Sequence, residues 1–301
     1  MRYRRLGNTS LDVSVVGIGT WQYSGEWGEV FEQRRVDEIL DAAGEEGVNF
    51  IDTAECYGDH VSERLIGDYL ARRDKKNWIV ASKFGHHFQA SFDRSPRWQP
   101  RQVLEQLEAS LRSLRCERID LYQFHSGSND VFFQDELWQM LNDQKKAGKI
   151  GHLGISIAKQ GNSEQVRAAR SLGIEVIQLV YNRLQRDAEE NELLTAQSDG
   201  LGVLARVPLA SGYLSGKYKP GVVFAADDIR RDHDMLSRDI WLKQVEHIQQ
   251  YEVPEGVPIA QWALAWCLRR PAVTTVIPGA KSAQQARDNA RAATLLDLEI
   301  V

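Results

Sequence analysis

At 301 residues with 43% hydrophobic residues the chain can bury a large core, and a mild net charge of −5 points to no nucleic-acid or polyanion partner. Three widely separated cysteines, Cys56, Cys116 and Cys267, form no CxxC pair, which argues against a cysteine zinc site or a disulfide framework and for a reducing compartment. No stretch approaches the roughly 18 apolar residues of a membrane span, so a cytoplasmic protein without a membrane partner is expected.

Taken in order, short apolar runs alternate with amphipathic patterns at intervals of roughly 30 residues. Strands are predicted at 13–19, 48–53, 78–82, 119–124, 152–157, 176–181, 201–207 and 273–277. Helices are predicted between and after them, at 34–46, 62–73, 100–115, 133–147, 163–172, 190–198, 258–270 and 283–293, with a further one near 237–250. Val103, Leu104, Leu107, Leu111 and Leu114 show the spacing of a helix burying one stripe, and Pro100 at its first turn lacks only an amide hydrogen that would have no helical partner.

Eight β/α units predict an α/β fold: one (β/α)8 TIM barrel over 1–301, with long loops after the third strand (84–99) and the seventh (212–236). A doubly wound sheet is the alternative. Its usual nucleotide fingerprint would follow the first strand, yet Gly17-Ile-Gly19 has no third glycine at the required spacing.

A barrel keeps its chemistry at the carboxyl ends of its strands. There stand Asp52 after strand two with Tyr57 in the following turn, Lys83 after strand three, His125 after strand four, Ser156 after strand five and Gln178 in strand six. Each alone reads as easily as a surface or core residue. Together, an acid, a phenol, a lysine and a histidine at one barrel mouth make a pocket the better reading.

These motifs resemble the aldo-keto reductases: DTAxxYG at 52–58, the strand-ending lysine and histidine, GIS at 154–156, PLASGYLSGKY at 208–218 and IPGAKSAQQARDN at 277–289. The resemblance covers nearly the whole chain. It looks closest to the bacterial branch with the IPG-x-[KR] ending, which is related to the β subunits of potassium channels. Such a member reduces an aldehyde or ketone to an alcohol with a nicotinamide cofactor. Hydride transfer leaves negative charge on the carbonyl oxygen, so a proton donor must stand near it. Tyr57 is the expected donor, with Lys83 expected to lower its pKa, Asp52 to hold Lys83, and His125 to orient the substrate oxygen.

The resemblance also implies NADP(H). Ser156 and Gln178 would hold the carboxamide of the nicotinamide, with Gly19, Thr20 and Trp21 along its other edge. Pro208, Leu209, Ser211, Gly212 and Lys217 would wrap the pyrophosphate. Gly279, Lys281, Ser282, Gln285, Asp288 and Asn289 would take the ribose phosphate and the adenine, with Lys281 as the cation for a 2′-phosphate. Two positions depart from the family pattern: Ile157 follows the GIS serine where an asparagine is usual, and Arg206 stands where an aromatic ring usually stacks on the nicotinamide.

The substrate is read only as a small or planar carbonyl compound, from Trp21, Tyr23, Trp27, Phe88 and Trp98 on loops at the predicted mouth. His86 and His87 have no third ligand at helical spacing, so no metal is expected. A monomer or weak homo-oligomer is expected. Two other functions stay in view: a cofactor-sensing subunit with slow turnover, like the channel β subunits, and a lyase or isomerase working without a nicotinamide.

Overall fold

The computed structural model describes residues 1–73 and 78–297, so positions 298–301 of the expected 1–301 unit lie outside the described residues. Eight parallel strands stand side by side in chain order. They are β1 (Ile18–Gly19), β2 (Phe50–Asp52), β3 (Ile79–Phe84), β4 (Ile119–His125), β5 (Ile150–Ser156), β6 (Val176–Val180), β7 (Gly202–Arg206) and β8 (Thr275–Val276). The sheet curls until its edges meet: Val16 bridges Val276 and Gly19 bridges Gly279, both in parallel. Around it lie α1 (Gln33–Glu45), α2 (Val61–Arg72), α3 (Pro100–Ser113), α4 (Asp135–Lys146), α5 (Ser163–Ala169), α6 (Glu192–Asp199), α7 (Ile259–Leu268) and α8 (Ala283–Ala290). This is the (β/α)8 barrel the sequence predicts.

Gly17 and Gly19 sit on the closing seam, where a Cβ on Gly19 would come within 2.6 Å of the Ile277 carbonyl oxygen and one on Gly17 within 2.9 Å of the Phe50 ring. The pair that half-matches a nucleotide fingerprint therefore lets two backbones approach.

The structure departs from the predicted elements in three places. The first apolar run splits: Asp12–Ser14 pairs antiparallel with Tyr3–Arg5, while Val16 bridges Val276 across the seam and Ile18–Gly19 pairs with β2. Leu6, Leu11 and Val13 of that hairpin plug the barrel floor against Phe50, Ala81, Leu121, Val176 and Leu204. The stretch 84–99 is largely a second hairpin, His86–Ala90 against Asp93–Pro96. The seventh loop carries two short 3₁₀ turns, Ala210–Ser215 and Ile229–Asp232, before the expected outer helix at Met235–Tyr251.

Strand alternation places the site. On the inward face the apolar floor residues Phe50, Ala81, Leu121, Val176 and Leu204 are followed two positions later by Asp52, Lys83, Gln123, Gln178 and Arg206. One repeat of the pleat thus converts a dry floor into a polar layer at the carboxyl end. Buried there, Asp52, Lys83, Gln123 and Gln178 must satisfy one another.

Candidate active site

Beyond Asp52 the chain turns back on itself: the Tyr57 amide donates to the Ala54 carbonyl at 3.2 Å and the His60 amide to Glu55 at 2.7 Å. Gly58 takes the left-handed φ of 69° that this turn requires. The Tyr57 hydroxyl is thereby brought within 3.3 Å of Lys83 Nζ. Lys83 is 0% exposed and donates also to Asp52 Oδ1 at 2.6 Å and to the Thr53 carbonyl at 2.8 Å. Asp52 Oδ2 in turn accepts from Gln178 at 2.7 Å and Gln123 at 3.0 Å. Gln123, absent from the sequence-predicted site, therefore helps hold the acid; its signal was the inward register two residues before His125.

Burial raises the phenol pKa of Tyr57, and the nearby Lys83 cation opposes that only in part because Asp52 beside it pushes the other way. This corrects the expectation that Lys83 draws the phenol down toward neutrality. Burial of the phenol, with a smaller push from Asp52, outweighs the lysine's charge. Tyr57 is held as a protonated phenol, the form a proton donor needs. Burial would lower the Lys83 pKa, but Asp52 and Tyr57 outweigh it and keep the ammonium charged.

Burial also takes the His125 imidazole well below its ordinary pKa, helped by His86, Lys83, Arg206 and Arg94. It is neutral at physiological pH and donates a single N–H. Its ring meets that of Tyr57 edge-on at 6.2 Å, and Cys56 Sγ lies 3.8 Å from Nδ1.

A cavity of about 1270 Å³ extends from this cluster to the start of α8. Asp52, Tyr57, His125, Gly19, Thr20, Trp21 and Gln178 line the inner end, whereas Lys83 is buried beside Tyr57. Along the seventh loop come Arg206, Pro208, Leu209, Ser211, Gly212 and Lys217, and at the far end Gly279, Lys281, Ser282, Gln285, Asp288 and Asn289. Ser156 does not reach the cavity: it is buried and donates to Gln178 Oε1 at 3.4 Å. Residues the sequence did not single out join the lining, chiefly Glu29, Arg35, Phe92, Arg94, Gln22 and Gln261. They come from loops and helix starts whose composition carries no site signal.

Of the expected substrate aromatics, Trp21 and Trp27 line the cavity, with Trp21 stacked 6.0 Å from Tyr57. The other three do not line it. Tyr23 is 1% exposed and packs against Phe31 in the core. Trp98 is wedged against Phe124 at 4.5 Å and Phe84 at 6.3 Å, and Phe88 lies under Arg94 on the hairpin. That hairpin is fixed by Glu26, which is buried and accepts from Arg94, the Phe92 amide and the Trp21 indole at 2.6, 2.7 and 2.8 Å.

Arg206 donates to the Ile157 carbonyl at 3.2 Å, and its Nε is buried with no hydrogen-bond partner among the described residues. The departures at 157 and 206 therefore touch each other. In the next turn Val207, Ala210, Ser211 and Gly212 all have positive φ, with the Ala210 and Gly212 amides donating to the Val207 and Leu209 carbonyls, so the chain curls tightly along the cavity wall. With cations at the α8 end, this lining fits an elongated dinucleotide carrying phosphates.

The whole-chain comparison agrees with the site: the sequence matches the Aldo/keto reductase family over residues 15–300. The chain belongs to that family. An uncharacterized oxidoreductase from Bacillus subtilis is 31% identical over all of this chain and 94% of its own length. An NADH-specific methylglyoxal reductase from Escherichia coli is 31% identical, covering 95% of this chain and 92% of its own. A probable voltage-gated potassium channel β subunit from rice is 29% identical over 99% and 93%. Among solved structures, the glycerol dehydrogenase AKR11B4 from Gluconobacter oxydans superposes with a TM-score of 0.83 at 28% identity, over 96% of this chain and 89% of that one. This aldo/keto reductase is thus an oxidoreductase of the nicotinamide-using kind, and among its described residues no helix is long and apolar enough to cross a membrane.

Proposed function

We propose that the protein reduces small aldehydes or ketones to alcohols with NADPH, with Tyr57 as the proton donor. The observation that carries this reading is the Tyr57 hydroxyl 3.3 Å from a buried lysine fixed by Asp52, beside a neutral His125 at the inner end of a long cavity. The cofactor when bound supplies the hydride. Everything else is asked of the chain. His125 donates to the substrate oxygen and orients it, Tyr57 gives that oxygen a proton as negative charge develops, and Lys83 stabilises the phenolate left behind. Trp21 and Trp27 shield the reacting atoms from water, and Gln178, held by Asp52 and Ser156, supports the carboxamide side of the nicotinamide.

The preference for NADPH rests on Lys281 and Arg35 at the α8 end, since one relative is named NADH-specific and the family alone does not decide it. The aromatic lining supports small carbonyl substrates, and three widely spaced cysteines with no CxxC pair support a cytoplasmic setting. Tyr57→Phe should abolish NADPH oxidation on a panel of aldehydes and ketones while fluorescence quenching by NADPH persists. Turnover like that of the wild type in this variant would refute Tyr57 as donor. The likeness to a channel β subunit supports a second reading, cofactor binding as the function itself; tight quenching with negligible turnover on every carbonyl would select it.

A further inference from the structure

At the α8 end of the cavity the two cations that a 2′-phosphate would meet are not free. Lys281 Nζ donates to the Trp27 carbonyl at 2.7 Å and to Glu29 Oε1 at 3.1 Å. Arg35 donates to Glu29 Oε2 at 2.6 Å and to the Lys281 carbonyl at 2.6 Å. One carboxylate therefore bridges both cations, each of its oxygens facing one of them, as two oxygens of a phosphate would.

Glu29 does not dangle there. Trp27 forms an antiparallel bridge with Asp228, and the Gly28 amide donates to the Asp227 carbonyl at 3.1 Å, so the first loop is stitched to the seventh immediately before Glu29. Glu29, Arg35 and Lys281 all line the cavity. The two cations outweigh partial burial and hold the Glu29 pKa below its ordinary value, so the carboxylate stays charged at any working pH.

From this geometry we infer that Glu29 is the specificity-determining residue for the cofactor, narrowing the NADPH preference so that NADH serves as well. The inference rests on the proposed nicotinamide-dependent reading. A 2′-phosphate must displace Glu29 from Lys281 and Arg35 or lie beside it, and like charges at that range repel. A ribose 2′-hydroxyl faces the opposite situation, since a fixed carboxylate is an acceptor for it. The same residue thus taxes one cofactor and receives the other.

The experiment measures dissociation constants for NADPH and NADH by quenching of intrinsic fluorescence, without substrate. The expected wild-type values lie within about tenfold of each other. Glu29→Gln should tighten NADPH by about tenfold, the low end for freeing a charge-assisted contact at a part-exposed site, and weaken NADH by no more than about threefold. In Glu29→Gln/Lys281→Ala the gain for NADPH should vanish, because the freed cation is its route. Equal changes for both cofactors, or a weaker NADPH in Glu29→Gln, would overturn the assignment of Glu29 alone. A wild type that binds neither cofactor would overturn the nicotinamide reading itself, and the inference with it.

Discussion

Lys83→Met separates what the buried ion pair does for the fold from what it does for the reaction. The lysine is 0% exposed and Asp52 3% exposed, so removing the ammonium leaves a buried carboxylate with Gln123 and Gln178 as its side-chain donors among the described residues. Breaking such a pair from one side costs about 3 to 5 kcal/mol, which lowers Tm on the order of 10 °C in a chain of this size. The phenol also loses the only cation among the described residues within hydrogen-bond reach, and turnover should fall by roughly 10²- to 10⁴-fold, the range of a general-acid contribution. Adding Asp52→Asn removes the stranded charge, so the double variant should regain most of the stability, to within about 1 to 2 kcal/mol, while turnover stays down. Urea unfolding and NADPH oxidation on one carbonyl measure the two effects. A double variant that recovers turnover together with stability would refute the reasoning, because Lys83 would then serve only to neutralise Asp52.

Burial raises the Glu55 pKa to about 9, with Glu63 and Asp59 adding to it. The native state thus holds a neutral acid that the unfolded chain ionises near pH 4.5, and stability should fall as pH rises between those values, by at most about 1.4 kcal/mol per unit. Glu55→Gln should flatten that slope, gaining on the wild type at pH 8 and not at pH 4; parallel stability curves would contradict it. Arg206→Tyr removes a cation from beside the site of the oxidised ring, so NADP⁺ affinity should rise about tenfold more than NADPH affinity, which paired titrations check. Trp98→Ala empties the wedge between Phe84 and Phe124 and should cost about 3 kcal/mol in urea unfolding with KM for small carbonyls nearly unchanged. A raised KM at full stability would return Trp98 to the substrate pocket.

The barrel was legible because each strand pays out a short apolar run and each helix a one-sided stripe, signals local to the chain. The polar ends of the strands were legible for the same reason: Asp52, Lys83, His125 and Gln178 follow the inward register. What escaped reading depends on contacts between distant loops. Tyr23, Phe88 and Trp98 carry the same aromatic signal as Trp21 and Trp27, and only packing decides that Tyr23 faces Phe31 while Trp27 faces the cavity. The sign of the Tyr57 shift escaped because it depends on how far burial of the phenol, with Asp52 adding to it, outweighs Lys83, and no spacing encodes that burial. Glu29 and Arg35 read as ordinary surface charges until Lys281, some 250 positions later, is folded beside them.

The polar layer also sets when function can appear during folding. Asp52 reaches Gln178 across 126 positions of sequence, and the seam that closes the barrel joins Val16 to Val276. Contacts of such sequence separation form late, after the loop-closure entropy of the intervening chain has been met. Regain of catalysis in a refolding experiment therefore follows the slowest phase, whereas helix signal returns earlier, and a chain stalled before closure is compact but chemically silent.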